Sequence, residues 1–409
     1  MSHRSLVLRV SALAALLTGF AVACQAIIGL ERPTGEPGVE RAEASTDAGA
    51  PPVDTCPHVR IPKEPQQDDD PATELPPFWL AVRRVAFAPK PDAGGRYYGF
   101  DLDHSCTCFD PDGGVTAFDG GEACRSKFAI VTVCDGIGGV DNAAAKMLEP
   151  YSSYDLDTLS GLDGLINDGR LGILLWVSKY NGRANDRSVT VGFVSSPGLF
   201  STEGCSGPRD IDAGLDPDGG PLPHPPLWDG CDSWAAPQAE VIAGGGSVAP
   251  RRVADGYVVD GVLVVPGGQT TAPLAVGAGI IEMSAPHLVG TLAPRPDNRG
   301  YTLKGTIAGR APVVSALRSL VNIKLSGVPL CQVPGAYTQF RDSICRNLDV
   351  PLQPRLDFTG VDCDGLTLAS QVEAESVRVE ESTAPPRPVP TDCDALLPQT
   401  QTLEQLCGR

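Results

Sequence analysis

The chain has 409 residues and a formal net charge of −18 at pH 7. A surface this acidic repels nucleic acid and anionic lipid headgroups, so the composition excludes both as electrostatic partners. The 46 glycines and 38 prolines indicate many turns between strands, and the 13 cysteines indicate disulfide bonds.

Residues 1–23 have the pattern of a secretory signal peptide. Arg4 and Arg9 precede the uncharged run Val10–Ala23, and small residues lead up to Cys24. A run of this length is too short for a membrane-spanning helix, which needs about 20 residues. The sequence therefore predicts an exported protein.

Two fates of Cys24 remain open. The leader resembles those of bacterial lipoproteins, in which such a cysteine is lipidated on sulfur and becomes the mature N-terminus. Lipidation would leave an even number of cysteines for disulfide bonds, whereas ordinary cleavage would release a soluble protein with one cysteine left over. Ala21 stands where lipoprotein leaders usually have leucine. We expect lipidation and, because Gln25 replaces the aspartate typical of inner-membrane retention, the outer membrane or cell surface.

Residues 24–77 are predicted to form a disordered tether rich in acidic residues and proline. The stretch from Glu31 to Pro77 has few large apolar side chains, so it cannot bury enough surface to offset its conformational entropy. Cys56 lies within this stretch, and we expect a disulfide bond to link it to the folded body.

Residues 78–409 are predicted to form a single β-rich domain with some helix, an antiparallel β-sandwich in outline. Asp260-Gly261 between two β-branched runs predicts a two-residue hairpin turn. Short apolar or alternating runs predict the strands Phe78–Phe87, Tyr97–Leu102, Phe128–Val133, Arg170–Val177, Ser188–Ser195, Tyr257–Val264, Leu274–Ile281, Leu288–Leu292, Thr302–Ala308 and Leu366–Glu380.

Three helices are predicted from apolar residues spaced three or four apart. Two of them, beginning at Val313 and Tyr337, form a helical excursion over residues 311–348. The third covers residues 156–165 and is weakened by two glycines.

Two segments carry a candidate metal site. Asp101 and Asp103 occupy alternate positions, so both can face one side of an extended segment. A glycine-rich turn about 30 residues later carries Asp135, Asp141 and Asn142. Oxygen ligands of this kind suit Ca²⁺, and we predict that these five residues bind it.

Hydrogen bonding within the turns is the alternative interpretation of these side chains. Asp135 and Asp141 would then stabilise turns, and Asp141 or Asn142 would cap the helix that ends at Leu148.

Cysteine spacing predicts local disulfide bonds: Cys205 with Cys231, Cys331 with Cys345, and Cys363 with Cys393 or Cys407. A zinc site is the alternative for the segment His104–Cys108 together with Cys124 and Cys134. Its spacing does not match structural zinc pairs, and an exported protein favours disulfide bonds.

Three parts of the chain resemble uncharacterised predicted lipoproteins of myxobacteria and their relatives. They are the leader followed by Ala26–Glu31, the pair Gly99–Asp103 and Gly139–Asn142, and the segment Val177–Asp186. That group has no assigned activity, so the resemblance implies localisation and architecture and identifies no functional residue.

Motifs typical of enzymes are not found in the sequence. It contains no His-Glu-x-x-His, no P-loop and no Gly-x-Gly-x-x-Gly after a strand, and Ser247 lacks the last glycine of a nucleophile elbow. A catalytic triad would have to use His104 or His287, because His58 falls in the tether and His224 in a proline-rich loop.

Three functional classes stay open. We expect a non-catalytic, membrane-anchored module that binds a glycan or a protein. The alternatives are an exported hydrolase of the glycosidase or esterase type, using Asp101, Asp103, Asp135 or His104, and a structural envelope protein. The candidate aromatic residues for stacking against a ligand are Trp79, Trp176, Trp228 and Trp234.

Overall fold

The computed structural model describes residues 58–70, 73–86, 97–108, 122–128, 133–149, 162–201, 205, 225–244, 247–276, 279–321, 324–325, 328–333, 335–383 and 402–408. All of them belong to one compact unit, residues 52–409. The predicted leader, Cys24, Cys56 and Cys393 lie outside the described residues.

The strands are β1 (Phe78–Ala86), β2 (Gly172–Ser178), β3 (Asp186–Ser196), β4 (Leu199–Ser201), β5 (Ser233–Pro237), β6 (Val241–Gly244), β7 (Ser247–Pro250), β8 (Val253–Val259), β9 (Val262–Pro266), β10 (Thr271–Val276), β11 (Gly279–Pro294), β12 (Tyr301–Pro312), β13 (Lys324–Leu325), β14 (Val328–Pro329) and β15 (Gly365–Ser382). The helices are α1 (Ala143–Leu148), α2 (Leu162–Asn167), α3 (Val313–Val321), α4 (Ala336–Arg346) and α5 (Leu403–Cys407). Single 3₁₀ turns cover Leu330–Gln332 and Pro354–Leu356.

Eight of these strands form a closed ring, in the order β1-β2-β3-β8-β9-β11-β12-β15, with β15 pairing back onto β1. Every pairing within the ring is antiparallel. The predicted β-rich, sandwich-like class is confirmed. The closure was not predicted, because the two strands that complete it are separated by most of the chain.

The two-residue turn predicted at Asp260-Gly261 is confirmed as the β8–β9 hairpin. Asp260 and Gly261 have φ values of 50° and 78° between Val259 and Val262, which pair with each other. Positive φ at both central residues defines the type I′ turn that Asp-Gly favours.

The main apolar core fills the inside of the ring. Each ring strand contributes alternate side chains to it, as Leu80, Ile173 and Leu288 illustrate, and α3 and α4 add further apolar residues. Two smaller apolar clusters cover parts of its outer face. Trp79 and Trp234 are buried in one of them, so they are core residues and not the stacking aromatics that we had considered.

Several predicted elements differ from the structure. Tyr97–Leu102 is not a strand, because this segment lies across the outside of the ring and pairs only through a single bridge from Phe100 to Asp141. The two ends of the predicted strand Phe128–Val133 do not belong to a strand, and residues 129–132 lie outside the described residues. The end of the predicted helix over 156–165 corresponds to α2, and residues 156–161 lie outside the described residues.

The last part of the predicted tether lies against the folded body. In residues 58–70 and 73–77, Leu75 packs on the core, and its N–H donates to the carbonyl of Tyr180 at 2.8 Å. Acidic side chains of the same stretch bind the turn between β2 and β3. Residues 58–70 and 73–77 therefore belong to the folded body, and the rest of the predicted tether lies outside the described residues.

Disulfide bonds connect distant segments. They join Cys108 to Cys134, Cys124 to Cys363, Cys205 to Cys231, and Cys345 to Cys407. The predicted bond between Cys205 and Cys231 is present, whereas those from Cys345 to Cys331 and from Cys363 to Cys393 or Cys407 are wrong.

Packing explains the wrong pairs, since sequence distance does not measure spatial distance. Helix α5 returns to α4 and brings Cys407 to Cys345. Cys363 donates its N–H to the carbonyl of Arg125 at 3.0 Å, which places it beside Cys124.

The cysteines of the zinc alternative, Cys106, Cys108, Cys124 and Cys134, are all disulfide-bonded. Because a disulfide sulfur is not a thiolate ligand, the zinc alternative is wrong.

In the part of the chain that the structure describes, no helix has the length and apolar character needed to cross a membrane.

Candidate functional site

Three of the five predicted calcium ligands converge. Asp101, Asp103 and Asp141 each place one carboxylate oxygen within 4.8 Å of those of the other two. Their exposed fractions are 5%, 3% and 2%. We call these three residues the acidic cluster. Buried carboxylates held this close repel one another unless protons or a cation neutralise them.

A glycine turn lets the two loops of the acidic cluster approach each other. Gly138 and Gly139 have φ values of 81° and 71°. A Cβ atom on Gly139 would lie 2.7 Å from the carbonyl oxygen of Ser105 and 2.9 Å from the sulfur of Cys106. Only glycine combines this backbone conformation with so close a contact.

The cluster carboxylates also accept main-chain hydrogen bonds. One oxygen of Asp141 accepts the N–H of Leu102 at 2.6 Å and that of Asp103 at 3.2 Å. The N–H of Ser105 donates to Asp101 at 3.1 Å and to Asp103 at 2.9 Å. The turn-stabilising interpretation is thus confirmed for one oxygen of Asp141.

Asn142 caps α1 and does not belong to the cluster. Its side-chain oxygen accepts the N–H of Ala145 at 3.0 Å, and its amide nitrogen donates to the carbonyl of Tyr98 at 2.7 Å. Both ends of the side chain are occupied, so the prediction that Asn142 is a calcium ligand is corrected in favour of the capping alternative.

Asp135 lies beside the cluster and not within it. Its carboxylate accepts the N–H of Thr107 at 2.5 Å. It lines a small cavity together with Asp103 and Asp349, and we call this the acidic cavity. The cavity volume is about 10 Å³, which is room for one water molecule or one ion.

Asp349 was missed by the sequence analysis. It follows α4 and reaches the site from more than 200 residues away. The N–H of Thr367 on β15 donates to its carboxylate at 2.9 Å, and the Thr367 hydroxyl donates to its other oxygen. A single aspartate between apolar residues has no local pattern that would reveal this role.

Desolvation raises the pKa of all five aspartates at the site. It raises the pKa of Asp103 to about 8, with added repulsion from Asp135. It raises the pKa of Asp349 to about 7 and that of Asp135 to about 6. The pKa of Asp141 is raised well above its usual value by burial and by repulsion from Asp103.

Three basic side chains lie near these acids. Lys146 on α1 faces Asp135, and desolvation lowers the pKa of its ammonium group. His58 contacts the carboxylate of Asp101 through Nδ1, so a histidine that we had assigned to the tether belongs to the site. The guanidinium group of Arg310 donates to the main-chain carbonyl of the residue between the first two aspartates.

The residues of the hydrolase alternative do not form a triad with Ser247. The Ser247 hydroxyl donates to the carbonyl of Gly244 at 3.1 Å within the β6–β7 hairpin. Burial lowers the pKa of His287 to about 4, and its Nδ1 lies 3.0 Å from the carbonyl of Ala285. His104 is exposed.

A scan against protein-family models, a search of curated proteins and a search of solved structures each found no match for this chain.

Proposed function

We propose that this chain is an exported, lipid-anchored lipoprotein whose β-rich body is a non-catalytic binding or structural module stabilised by calcium. The observation that supports the calcium part is the convergence of Asp101, Asp103 and Asp141, three buried carboxylates from two loops. The leader, the cysteine usage and the resemblance to predicted lipoproteins support the localisation.

Calcium suits the chemistry of the acidic cluster. Ca²⁺ takes six to eight oxygen ligands in flexible geometry, and carboxylates are its commonest protein ligands. Asp135 and Asp349 add two more carboxylates at the adjacent acidic cavity. A divalent cation would favour the ionised carboxylates, whose burial raises their pKa values in its absence.

The size of the acidic cavity supports a binding or structural role over glycoside hydrolysis. Glycosidases hold a sugar ring between two carboxyl groups. Among the described residues, the acidic cavity beside Asp103 and Asp135 has a volume of about 10 Å³, far less than a sugar ring occupies. We propose a glycan or a protein as the ligand of another surface, which glycan arrays with and without calcium would test.

Cysteine pairing supports lipidation of Cys24. Cys106 and Cys331 are disulfide-bonded, and the other described cysteines pair among themselves. With 13 cysteines in the chain, at least one has no disulfide partner within it. Cys24, directly after the leader, is the one that a lipidation enzyme would use.

The anchor is tested by Cys24→Ser. We expect the wild-type protein in the membrane fraction and the variant in the soluble fraction, because acyl chains supply the apolar anchor. Recovery of wild-type protein wholly in the soluble fraction would contradict lipidation.

Calcium stabilisation is tested by melting temperatures in EDTA and in 10 mM CaCl₂. At dissociation constants of about 10⁻⁴–10⁻³ M, typical of extracellular modules, calcium should add about 1.4–2.7 kcal/mol to the free energy of unfolding. In Asp103→Ala, calcium should no longer increase the free energy of unfolding.

Asp186→Ala is the matched control for Asp103→Ala. Asp186 is equally buried, at 4% exposed, and also accepts main-chain N–H groups, those of Asn181 and Ser188. The control should lose stability but keep the calcium gain. Equal melting temperatures of the wild type in EDTA and in calcium would refute the calcium site.

A further inference from the structure

Arg310 is the largest charged side chain in the described core and is only 1% exposed. It lies on β12, and its guanidinium group bonds three other segments. One nitrogen donates to the carbonyl of Pro351 at 2.9 Å, and the other donates to the carbonyl of Leu102 at 2.7 Å. Both nitrogens also bond the carboxylate of Asp357, at 2.6 and 2.7 Å.

These contacts connect two of the three loops that supply the acidic residues. Leu102 stands between Asp101 and Asp103, so a bond to its carbonyl fixes the turn that orients both carboxylates. Pro351 follows Asp349 by two residues in the other loop. A guanidinium group donates from a rigid planar fork, so it sets the separation of its acceptors more strictly than an ammonium group does.

We infer that Arg310 is a positioning residue for the calcium site: it holds the Asp101–Asp103 turn and the Asp349 loop together so that their carboxylates converge. The inference rests on the proposed function. Groups that orient ligands without touching the metal commonly change metal affinity by 10–100-fold when they are replaced.

The charge of Arg310 and its positioning role predict opposite changes in calcium affinity when the residue is replaced. A buried cation near a calcium site repels the ion, so its charge alone would weaken calcium binding. Removal of that charge would then strengthen binding. If Arg310 instead positions the carboxylates, loss of its fork should weaken calcium binding, even when the charge is retained.

The test is isothermal titration of CaCl₂ into the mature, disulfide-bonded chain. Arg310→Lys keeps the charge and loses the fork, and we expect its dissociation constant to rise by about 10–100-fold. Arg295→Lys is the matched control. Arg295 is another largely buried arginine with a carboxylate partner, Glu375, at the opposite end of the β11–β12 hairpin, and its replacement should leave the constant within twofold.

A second variant keeps the inference testable if Arg310→Lys does not fold. Arg310→Met combined with Asp357→Leu removes both members of the buried ion pair, a change that proteins often tolerate. It still lacks the bond to Leu102, so calcium binding should weaken by a similar factor. A dissociation constant within twofold of wild type, or below it, in either variant would overturn the inference.

Hydrogen exchange separates this inference from the proposed function. If the wild type binds no calcium, the calcium proposal fails, and exchange in EDTA decides the role of Arg310. Arg310→Lys should then raise the exchange rates of the amides of Leu102, Asp103 and Ser105, and Arg295→Lys should not. Unchanged rates in Arg310→Lys would overturn the positioning role.

Discussion

The carboxylate of Asp141 accepts the amide N–H of Leu102 at 2.6 Å, across the two loops of the acidic cluster. The same oxygen accepts the N–H of Asp103. One buried carboxylate therefore both shapes the turn that orients its neighbours and adds to the negative charge that they share. These two contributions can be separated by substitution.

Asp141→Asn should separate charge from hydrogen bonding. Asparagine keeps an oxygen for both N–H groups and removes a charge that Asp103 repels, so we expect no loss of melting temperature in EDTA at pH 8 and loss of the calcium gain. Asp141→Ala also leaves two buried N–H groups unpaired and should cost about 1–3 kcal/mol in EDTA. A calcium gain retained in Asp141→Asn would show that this carboxylate is not a ligand.

The metal-free protein should become less stable as pH rises. Asp103, Asp349 and Asp135 have pKa values of about 8, 7 and 6 in the folded protein, above the value of about 3.9 expected in the unfolded chain. The folded protein therefore holds protons that the unfolded chain has released. Its stability is greatest below pH 4 with respect to these groups and falls as pH rises through 6 to 8.

Chemical denaturation in EDTA at pH 5 and pH 8 measures this dependence. Each carboxyl group that is protonated in the folded protein and ionised in the unfolded chain lowers the free energy of unfolding by at most about 1.4 kcal/mol per pH unit. Asp103→Asn should flatten the dependence. Calcium binds the deprotonated groups, so the calcium gain should be larger at pH 8 than at pH 5. Stability in EDTA that rises with pH over this range would contradict the prediction.

Two disulfide bonds of equal span provide a matched comparison. Cys108–Cys134 and Cys205–Cys231 both join residues 26 positions apart, and only the first links the two loops of the acidic cluster. Replacing either pair with serines should cost about 2–4 kcal/mol in EDTA. Only loss of the first pair should also weaken calcium binding, as measured by titration. Equal calcium affinities in the two variants would show that the cluster does not need its cross-link.

Two glycines separate backbone strain from steric contact. Gly139 and Gly261 both have positive φ, of 71° and 78°, but a Cβ atom on Gly261 meets nothing within 4 Å. Gly261→Ala should cost about 1 kcal/mol from strain alone. Gly139→Ala should cost clearly more in thermal melts and weaken calcium binding, because the new methyl group forces the turn away from Ser105. Equal costs would mean that the close contact is easily relieved.

Sequence patterns were reliable where a short segment determines its own structure. The Asp260-Gly261 hairpin and the helix from Val313 follow from turn chemistry and apolar spacing alone. The convergence of Asp101 and Asp103 with Asp141 was also predicted, because carboxylates cluster on two segments only about 30 residues apart.

The remaining features depend on contacts between distant segments. Asp349 and Arg310 stand alone in apolar surroundings in the sequence, and only the packing of their loops on the ring brings them to the cluster. Asn142 could be a ligand or a cap by sequence, and the start of α1 decides for the cap.

Closure of the ring through β1 and β15 also determines when the fold can form. Trp79 in β1, the first strand of the ring in the sequence, pairs with Val377 in β15, the last. The ring must therefore stay open during synthesis until β15 has emerged. Until then β1 has an unpaired edge that can associate with other chains. The final strand thus ends the period in which the chain is most exposed to misassembly.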